Sequence, residues 1–452
     1  MKWLAAALLV GAALRLPLLS DRPMHADEAM QAERAARLVE RGERTYDPND
    51  YHGPLLALLT APAAWAAGAR HYAAFDETLI RAVPAALGLA LVALSYFIGL
   101  SINARTAALA ALFAAVSPGL VYFSRYYIPE MLLVTLSAGA LLCALNKRAI
   151  PFGICAGLML ATKETAVLAL AAMLAVWRPP LRAWAVAAAV AAGLFAPVDP
   201  MALPQAVKAY ALRGVEGGVH RHGPLYYFET LRFELLWLAA PLVLRFWRSP
   251  LAAYAGLLTL LYALLPYKTP WCALGFLHGW TLVSAAALSQ VRREAAALGL
   301  LLAVPAWRYA FPLAAEPGNP WVYGHTTRDV YALRDAIARV PAPVEIVSSQ
   351  NWWPLPWYLR GRADVRWWTR PPRRWERRAV VLVSPDLEGA VAELLYEGRP
   401  GEAELYTPLV DGRIWLRPGV EVKAYAPAAL RGGLGVFGAA EADVGRGEAG
   451  RD

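Results

Sequence analysis

The chain has 452 residues, of which 58% are hydrophobic and 17% are charged, and its formal net charge is +9. Soluble domains average about 25% charged residues, so this composition excludes an ordinary soluble globular protein. The positive charge lies between apolar blocks, where membrane topology explains it, and it therefore does not indicate a nucleic-acid partner.

Blocks rich in Ala, Leu and Val follow one another from the N-terminus and predict membrane-spanning helices. They cover residues 3–19, 80–99, 106–123, 129–145, 150–162, 164–177, 183–197, 233–247, 251–266, 271–289 and 295–313. We therefore predict an α-helical polytopic membrane domain over 1–313, with about eleven transmembrane helices. Its long outer loops are 20–79 and 198–232, and the weaker apolar run 54–68 is predicted to lie on the outer surface of the membrane.

The distribution of cations predicts the topology of these helices. With the N-terminus in the cytoplasm, every connection on that side carries a cation, namely Arg105, Lys147 with Arg148, Arg178 with Arg182, Arg245 with Arg248, and Arg292 with Arg293. This arrangement agrees with the positive-inside rule. We therefore expect a multi-pass protein of the cell membrane whose C-terminal region is extracytoplasmic.

The region 314–430 has a different pattern. Residues 327–340 place apolar side chains on one helical face, and short β-like runs follow at 344–348 and 380–384. This alternation predicts a small α/β domain. The Gly-, Ala- and Glu-rich segment 431–452 is predicted to be a disordered tail.

Charged residues beside apolar blocks are candidates for function, because a charge near the membrane interior is costly. Asp27 and Glu28 follow the first block, and a carboxylate at this place is a candidate general base or metal ligand. The alternative is a helix N-terminus, where both carboxylates would favour the helix dipole.

A second candidate follows the third block, where Arg125 and Glu130 bracket Tyr126 and Tyr127. A cation, an acid and two aromatic rings at a membrane surface are typical of a site for an anion and a sugar. The alternative is that Glu130 follows Pro129 in the first turn of the next helix and only complements its dipole.

Two lysines complete the set of candidates. Lys163 and Glu164 interrupt the apolar stretch 150–177, so we predict two short helices that meet at this pair and a functional role for it. Lys268, close to Trp271, is either a phosphate-binding cation at the mouth of a lipid groove or a snorkelling lysine beside a belt tryptophan.

Histidines mark the two long outer loops. The tetrapeptide His-Gly-Pro-Leu occurs twice, at 52–55 and 222–225, once in each loop. His222 also belongs to a His-x-His pattern with His220, which supplies cations or metal ligands, although a solvated loop accounts for the same residues.

The order and spacing of these motifs resemble the GT-C superfamily of integral-membrane glycosyltransferases, in the branch of the protein O-mannosyltransferases and the lipid A aminoarabinose transferase. The motifs are Asp27-Glu28, His52-Gly53-Pro54-Leu55, Arg81-Ala82-Val83-Pro84-Ala85, Arg125 with Glu130, and Ala161-Thr162-Lys163-Glu164. Lys-Thr-Pro-Trp at 268–271 and Trp-Pro-Leu-Pro-Trp-Tyr-Leu-Arg at 353–360 resemble, more specifically, the flippase-activity-associated proteins of archaeal N-glycosylation clusters.

The resemblance implies transfer of a sugar from a polyprenyl-phosphate donor to a glycan, lipid or protein acceptor on the outer face, with inversion. It implies that Asp27 is the general base, supported by Glu28 or Glu130, and that Arg125, Lys163 and Lys268 neutralise the phosphate leaving group. The expected substrate-binding residues are His52, Tyr126, Tyr127, Glu164, His222 and Trp271. A divalent metal, magnesium or manganese, is an open possibility, with Asp27 and Glu130 as its candidate ligands.

Two other classes of function remain compatible with the sequence. A lipid-linked sugar flippase, or a subunit of one, would also carry charged residues within its spans. A non-catalytic scaffold would use the C-terminal domain to bind partners. Clustering of the carboxylates on one predicted side favours the enzyme.

Overall fold

The computed structural model describes the chain except residues 45–51, 199–200, 202–203, 206, 210, 213–217, 235–242, 244–245, 373–377, 397–403 and 432–452. The chain divides into two compact units. The first consists of Met1–Arg22 and Gln31–Tyr323, and the second consists of Pro23–Met30 and Gly324–Asp452. Most of the predicted span 233–247 and nearly all of the predicted tail 431–452 lie outside the described residues.

Helices make up the chain as far as Tyr323. They are α1 Lys2–Arg15, α2 Ala26–Arg41, α3 Leu55–Ala66, α4 Glu77–Leu100, α5 Ala104–Val116, α6 Pro118–Phe123, α7 Pro129–Leu145, α8 Ala149–Leu160, α9 Ala166–Met173, α10 Leu181–Phe195, α11 Tyr226–Leu231, α12 Pro250–Leu264, α13 Leu274–Leu288 and α14 Arg292–Ala310. Apart from 233–247, every apolar block of the sequence contains one of these helices.

Capping residues and prolines set the helix boundaries. Asp76 accepts a hydrogen bond from the backbone of Leu79 at the start of α4, and Asn103 caps α5 in the same way. Pro118 and Pro129 each occupy the first turn of a helix, where the missing N–H costs no hydrogen bond. The predicted block 106–123 is therefore two helices, α5 and α6, with a break at Ser117.

Among the described residues, two helical stretches are by themselves long and apolar enough to cross a membrane, Glu77–Leu100 and Pro270–Leu288, and several further apolar helices have 10 to 17 residues. The weak run 54–68 forms α3, which has 12 residues with Pro62 inside it. A helix of this length spans about 18 Å, less than the hydrocarbon thickness of about 30 Å. That α3 lies on the membrane surface stays a prediction.

Small residues bring α8 and α10 into backbone contact. Gly153 and Gly157 lie one turn apart on α8, and a Cβ atom added at Gly157 would lie 2.6 Å from the carbonyl oxygen of Ala187. On α10 the residues in this contact, Ala183 and Ala187, are buried. This small-x-x-x-small packing is typical of helix pairs in membranes.

The second unit contains the predicted α/β fold. Its helices are α15 Asp329–Ala338, α16 Leu355–Tyr358 and α17 Glu388–Tyr396, and its strands are β1 Val344–Val347, β2 Val365–Trp368, β3 Val380–Val383, β4 Tyr406–Pro408, β5 Ile414–Arg417 and β6 Val420–Pro427. The strand order is β2-β1-β3-β6-β4, and β5 also pairs with β6.

The strand pairing of this sheet explains why its central strands are buried. β1 is parallel to both neighbours, so that Val344 lies opposite Val365 on one side and Val380 on the other. β1 and β3 are buried along their whole length, as expected for central parallel strands. β6 runs antiparallel to β3 and closes the parallel part of the sheet.

Candidate functional site

A buried ion pair is the central feature of the first unit. Glu130 lies in the first turn of α7, directly after Pro129, and Lys163 lies in the turn between α8 and α9. The ammonium group of Lys163 donates a hydrogen bond to Oε1 of Glu130, and the two side chains are only 9% and 6% exposed. Burying two charges is costly unless they are paired, so this contact holds two helix ends together.

The ion pair lines a small pocket between the ends of four helices. The pocket residues are Glu130, Leu133, Val134, Ser137, Lys163, Thr165, Ala169, Leu258, Tyr262, Trp271, Cys272 and Gly275. Polar groups are concentrated around Glu130 and Lys163, whereas Leu133, Val134 and Leu258 contribute apolar walls. Such a mixture of apolar surface with a few placed polar groups is typical of small-molecule sites.

One oxygen of Glu130 remains available to a ligand. Oε2 of Glu130 is buried and accepts no hydrogen bond from any of the residues that the structure describes. A buried carboxylate oxygen without a donor is unfavourable, and native structures rarely leave one. The pocket therefore presents an acceptor to a hydroxyl or water molecule.

Tyr262 and Cys272 are among the pocket residues that the sequence did not identify as part of a site. Tyr262 is buried at the end of α12, and the thiol of Cys272 lies 3.2 Å from Oγ1 of Thr269. Both belong to apolar blocks, where a tyrosine or cysteine has no pattern that separates it from ordinary core packing.

The loop that carries His52 holds the turn that carries Lys163. His52 and Lys163 form an isolated antiparallel bridge, and the amide of Gly53 donates to the carbonyl oxygen of Thr162 at 3.0 Å. The predicted substrate residue His52 is thus positioned next to the ion pair. Glu164 is buried in the same turn.

Lys268, like Lys163, is buried beside a residue of an outer loop, in this case His222 of the second loop. Lys268 is buried, and its ammonium group donates to the carbonyl oxygens of Leu265 and of His222, the latter at 3.1 Å. Burial lowers the pKa of Lys268. The imidazole of His222 stacks on Tyr226 with ring centroids 4.2 Å apart, and burial together with the Lys268 charge lowers the pKa of His222.

Trp271 connects the region of Lys268 with the ion-pair pocket. Its side chain lines the pocket and packs edge-to-face on Phe123 and Tyr323, with centroid distances of 6.3 Å and 5.7 Å. The hydroxyl group of Tyr323 in turn lies 2.6 Å from Nδ1 of His220. The structure therefore brings together Glu130, Lys163 and Trp271 of the predicted site.

Arg125 has a different environment from the two lysines. Its guanidinium group donates to three backbone carbonyl oxygens at the end of α1, those of Arg15, Pro17 and Leu18, at 3.0, 2.6 and 2.9 Å. These carbonyls have no partner within the helix, so a cation that caps them is favourable. The prediction that Arg125 binds phosphate stays a prediction.

Tyr126 and Tyr127, predicted to bind substrate, are fully buried. The guanidinium carbon of Arg22 lies 4.2 Å from the ring centroid of Tyr126, and the hydroxyl group of Tyr127 lies 2.6 Å from Oγ1 of Thr60. Both rings pack the interior of the first unit, and in this conformation neither presents a surface to a ligand.

Asp27 and Glu28 belong to the second unit and differ in their surroundings. Oε2 of Glu28 accepts the backbone N–H of His25 at 3.0 Å, while Nδ1 of His25 accepts that of Asp27 at 3.1 Å. This reciprocal arrangement is a capping box at the start of α2. Glu28 is fully buried, whereas the side chain of Asp27 is 42% exposed, so Asp27 is the accessible carboxylate.

The described residues do not fit a divalent-metal site. Glu130 already gives one oxygen to Lys163, and within the described ranges no group of three or more His, Cys, Asp and Glu side chains is placed to hold a metal ion. We therefore assign no step to a metal, and the predicted ligand roles of Asp27 and Glu130 are left to experiment.

No family model and no curated protein sequence matches the chain. Among solved structures, ArnT from Cupriavidus metallidurans bound to undecaprenyl phosphate is similar with a TM-score of 0.69 and 14% identity, over 94% of this chain and 97% of that one. The Archaeoglobus fulgidus oligosaccharyltransferase in complex with Zn and sulfate is similar with a TM-score of 0.51 and 16% identity, over 94% and 73% of the two chains.

Both neighbours are membrane glycosyltransferases of the GT-C superfamily. The chain therefore shares the fold of these two structures. The resemblance seen in short sequence motifs is confirmed at the level of the fold along nearly the whole chain, including the C-terminal α/β unit.

Proposed function

We propose that the protein is an integral-membrane glycosyltransferase that moves a sugar from a polyprenyl-phosphate donor to an acceptor on the outer face of the cell membrane. The observation that carries the proposal is the buried Glu130–Lys163 pair in a pocket of the GT-C fold. The related ArnT structure contains undecaprenyl phosphate, which is a ligand of the proposed class.

Exposed apolar side chains support a position within the membrane. Leu300, Val304 and Trp307 follow one face of α14 and are 74%, 63% and 55% exposed, and Leu260 and Leu264 are exposed on α12. Helices of soluble proteins bury such faces, so contiguous exposed apolar surface indicates contact with lipid or protein. Lipid is the partner that the donor requires.

The lysines have the chemistry to bind the leaving group. When the bond between the anomeric carbon and the phosphate oxygen breaks, the negative charge on that oxygen increases. Preorganised ammonium groups in a site shielded from water stabilise this charge more strongly than water does. We assign this role to Lys163 and Lys268, while Glu130 holds the ammonium group of Lys163 in place.

Asp27 has the chemistry of the general base. The acceptor hydroxyl group attacks the anomeric carbon, the hydroxyl proton moves to the carboxylate of Asp27, and polyprenyl phosphate departs from the opposite face with inversion. The exposure of Asp27 suits proton transfer with an acceptor, whereas the capping role of Glu28 does not.

The decisive test is sugar transfer by the purified full-length protein in nanodiscs. The substrates are radiolabelled polyprenyl-phosphate sugars with crude membrane acceptors, with and without a chelator. Lys163→Gln is compared with Lys147→Gln, a lysine exposed in the connection between α7 and α8. We expect transfer by the wild type and by Lys147→Gln, and a loss of about 100-fold or more in Lys163→Gln.

The same preparations distinguish the alternatives. Movement of the labelled lipid across the bilayer with no glycosyl product would replace the proposal by a flippase. Neither transfer nor binding of any polyprenyl phosphate would leave the scaffold as the remaining interpretation. Loss of transfer in the chelator arm alone would establish a metal.

A further inference from the structure

A pair of tryptophans in the second unit has no role in the proposed chemistry. Trp352 lies in the loop that follows β1, and Trp367 is the third residue of β2. Their ring centroids are 5.4 Å apart and their ring planes are inclined at 39°. Both side chains are half-buried, so this part of the unit presents aromatic surface to its surroundings.

The neighbouring Trp368 has a structural role that Trp367 does not share. Trp368 packs with Val347 of β1 and Val391 of α17, and its indole N–H donates to the buried carboxylate of Glu345. Successive side chains of a strand point to opposite faces of the sheet. Trp367 therefore lies on the face opposite α17, together with Trp352.

The tryptophan pair lies near the carboxyl ends of the parallel strands. β1 is the middle strand, and the chain continues from it to β2 on one side and then to β3 on the other. At such a switch point the loops leave the sheet in opposite directions, and open α/β sheets bind their ligands there. The loops after β1 and β3 border this point.

Hydrogen-bonding groups are concentrated in these two loops. The hydroxyl group of Ser349, after β1, donates to Oδ2 of Asp386, after β3, at 2.6 Å. Hydrogen bonds from Ser349 and Ser384 lower the pKa of Asp386, so its exposed carboxylate is ionised at neutral pH and accepts hydrogen bonds. Gln350 and Asn351 are exposed in the same loop as Ser349. The edge of the sheet thus presents a carboxylate, hydroxyl groups and amides.

Aromatic faces beside planar hydrogen-bonding side chains suit a sugar. One face of a pyranose ring carries polarised C–H groups, which are attracted to the negative face of an indole ring. The hydroxyl groups around the sugar need donors and acceptors, which amides and carboxylates supply. A phosphate group would instead favour arginine or lysine, and neither occurs in the loop segments 348–351 and 384–387.

The segment that carries Asp27 is joined to the same region. The backbone N–H of Met24 donates to the hydroxyl group of Tyr358, the last residue of α16, at 2.8 Å. At the other end of this short helix, the N–H of Leu355 donates to the carbonyl oxygen of Trp352 at 2.9 Å. The proposed base and the tryptophan pair therefore belong to one compact unit, connected through α16.

We propose that the carboxyl edge of this sheet binds a glycan, whose sugar rings stack on Trp352 and Trp367 while the loops after β1 and β3 bind its hydroxyl groups. The inference names the class of the acceptor, because the glycan would supply the hydroxyl group that Asp27 deprotonates. That acceptor role rests on the proposed function, whereas binding of the glycan is measurable without any donor.

The chain offers a matched control for the loss of an aromatic ring. Tyr396, the last residue of α17, is 45% exposed and belongs to the helix that packs on the opposite face of the sheet. Tyr396→Ala therefore removes an exposed ring of the same unit without touching the proposed site. Trp367→Phe keeps an aromatic face at the site and tests whether stacking is the interaction that matters.

The experiment measures the binding of tetrasaccharides to the full-length protein in nanodiscs, without donor lipid. The probes are linear tetrasaccharides of glucose, mannose, galactose and N-acetylglucosamine, together with an unglycosylated peptide rich in Ser and Thr. The variants are Trp352→Ala, Trp367→Ala, Trp367→Phe and Tyr396→Ala. Thermal unfolding of each variant verifies that it is folded.

We expect at least one tetrasaccharide to bind, because stacking on an aromatic face tolerates differences among sugar rings. Each tryptophan-to-alanine variant should raise its Kd about tenfold, Trp367→Phe should raise it less, and Tyr396→Ala should leave it unchanged. In sugar transfer, Trp352→Ala and Trp367→Ala should raise the KM for the glycan acceptor and leave the Kd for undecaprenyl phosphate unchanged.

Three results would overturn the inference. They are no binding of any tetrasaccharide, wild-type affinity in folded Trp352→Ala or Trp367→Ala, and binding of the peptide alone, which would assign the surface to a peptide. If Trp367→Ala does not fold, Trp352→Ala and Trp367→Phe decide the matter. Sugar transfer by the wild type in any of these cases leaves the proposed function intact. Glycan binding with no transfer from any donor would contradict the proposed function and the acceptor role, and would support the binding site alone.

Discussion

Glu130 and Lys163 are 33 residues apart in sequence and meet at the junction of α7 with the turn that separates α8 from α9. Their contact neutralises two charges that neither helix end would tolerate alone. It also leaves Oε2 of Glu130 and two N–H donors of Lys163 without partners among the described residues. Stability and, in the proposed function, ligand binding therefore depend on the same pair.

Because Glu130 and Lys163 neutralise each other, removing the charge of one of them should lower the stability of the folded protein. Glu130→Gln leaves the ammonium group of Lys163 buried without a counter-charge, which typically costs about 3–5 kcal/mol. We expect a clear decrease in the unfolding temperature in detergent. The double variant Glu130→Gln with Lys163→Gln should recover part of the loss, and an unchanged unfolding temperature in the single variant would contradict the buried pair.

Replacing Asp27 should reduce catalysis, whereas replacing Glu28 should reduce stability. Asp27→Asn should reduce sugar transfer about 100-fold to 10,000-fold, the usual contribution of a general base, with an unchanged unfolding temperature and unchanged affinity for the lipid donor. Glu28→Ala removes the side-chain acceptor of the capping box and should cost about 0.5–2 kcal/mol of stability. Steady-state transfer rates and thermal unfolding of both variants check this. Equal rates in Asp27→Asn and wild type would exclude Asp27 as the base.

Replacing Arg125 by lysine should lower the stability of the protein without weakening its affinity for the lipid donor. A lysine at this position cannot reach three carbonyl oxygens with one planar fork, so Arg125→Lys should destabilise the protein by about 2–3 kcal/mol. Because Arg15, Pro17 and Leu18 occupy its guanidinium group, the Kd for undecaprenyl phosphate should stay within about twofold of wild type. A Kd raised tenfold would instead establish Arg125 as a phosphate ligand.

Glu234 is a buried carboxylate at the break between α5 and α6, and replacing it should affect only the stability of the protein. Glu234 accepts the backbone N–H of Gly119 at 2.6 Å and the hydroxyl group of Ser117 at 2.7 Å. Glu234→Ala leaves both donors unsatisfied and should cost about 2–4 kcal/mol. Ser117→Ala removes one donor only and should cost less. The order of the two unfolding temperatures is the measurement, and the reverse order would be inconsistent with this cap.

The helices of the first unit were predictable from sequence because long apolar blocks with few charges are typical of membrane-spanning helices. The break at Lys163 was predictable for a related reason, since a charge at the centre of a long span is costly. The predicted α/β fold at the C-terminus followed from a change in hydrophobic period from helix to strand. These features depend on local composition alone.

The contacts of the site were not predictable, because they depend on which distant segments meet. Nothing in the sequence indicates that Glu130 pairs with Lys163 and not with the nearby Arg125. The partners of Arg125 are backbone carbonyls, which carry no residue signature. The grouping of Pro23–Met30 with the C-terminal unit was likewise not predicted, because a segment eight residues long has no periodicity of its own.

Gly153 and Gly157 of α8 fix how far Lys163 lies along the axis of that helix. Because main chain meets main chain at Gly153 and Gly157, no rotamer change can absorb a sliding movement of α8 along α10. Lys163 follows the end of α8 by three residues, so it would rise or sink with that helix. Two hydrogen atoms in place of two methyl groups, at Gly153 and Gly157, thus set the position of Lys163 along the axis of α8.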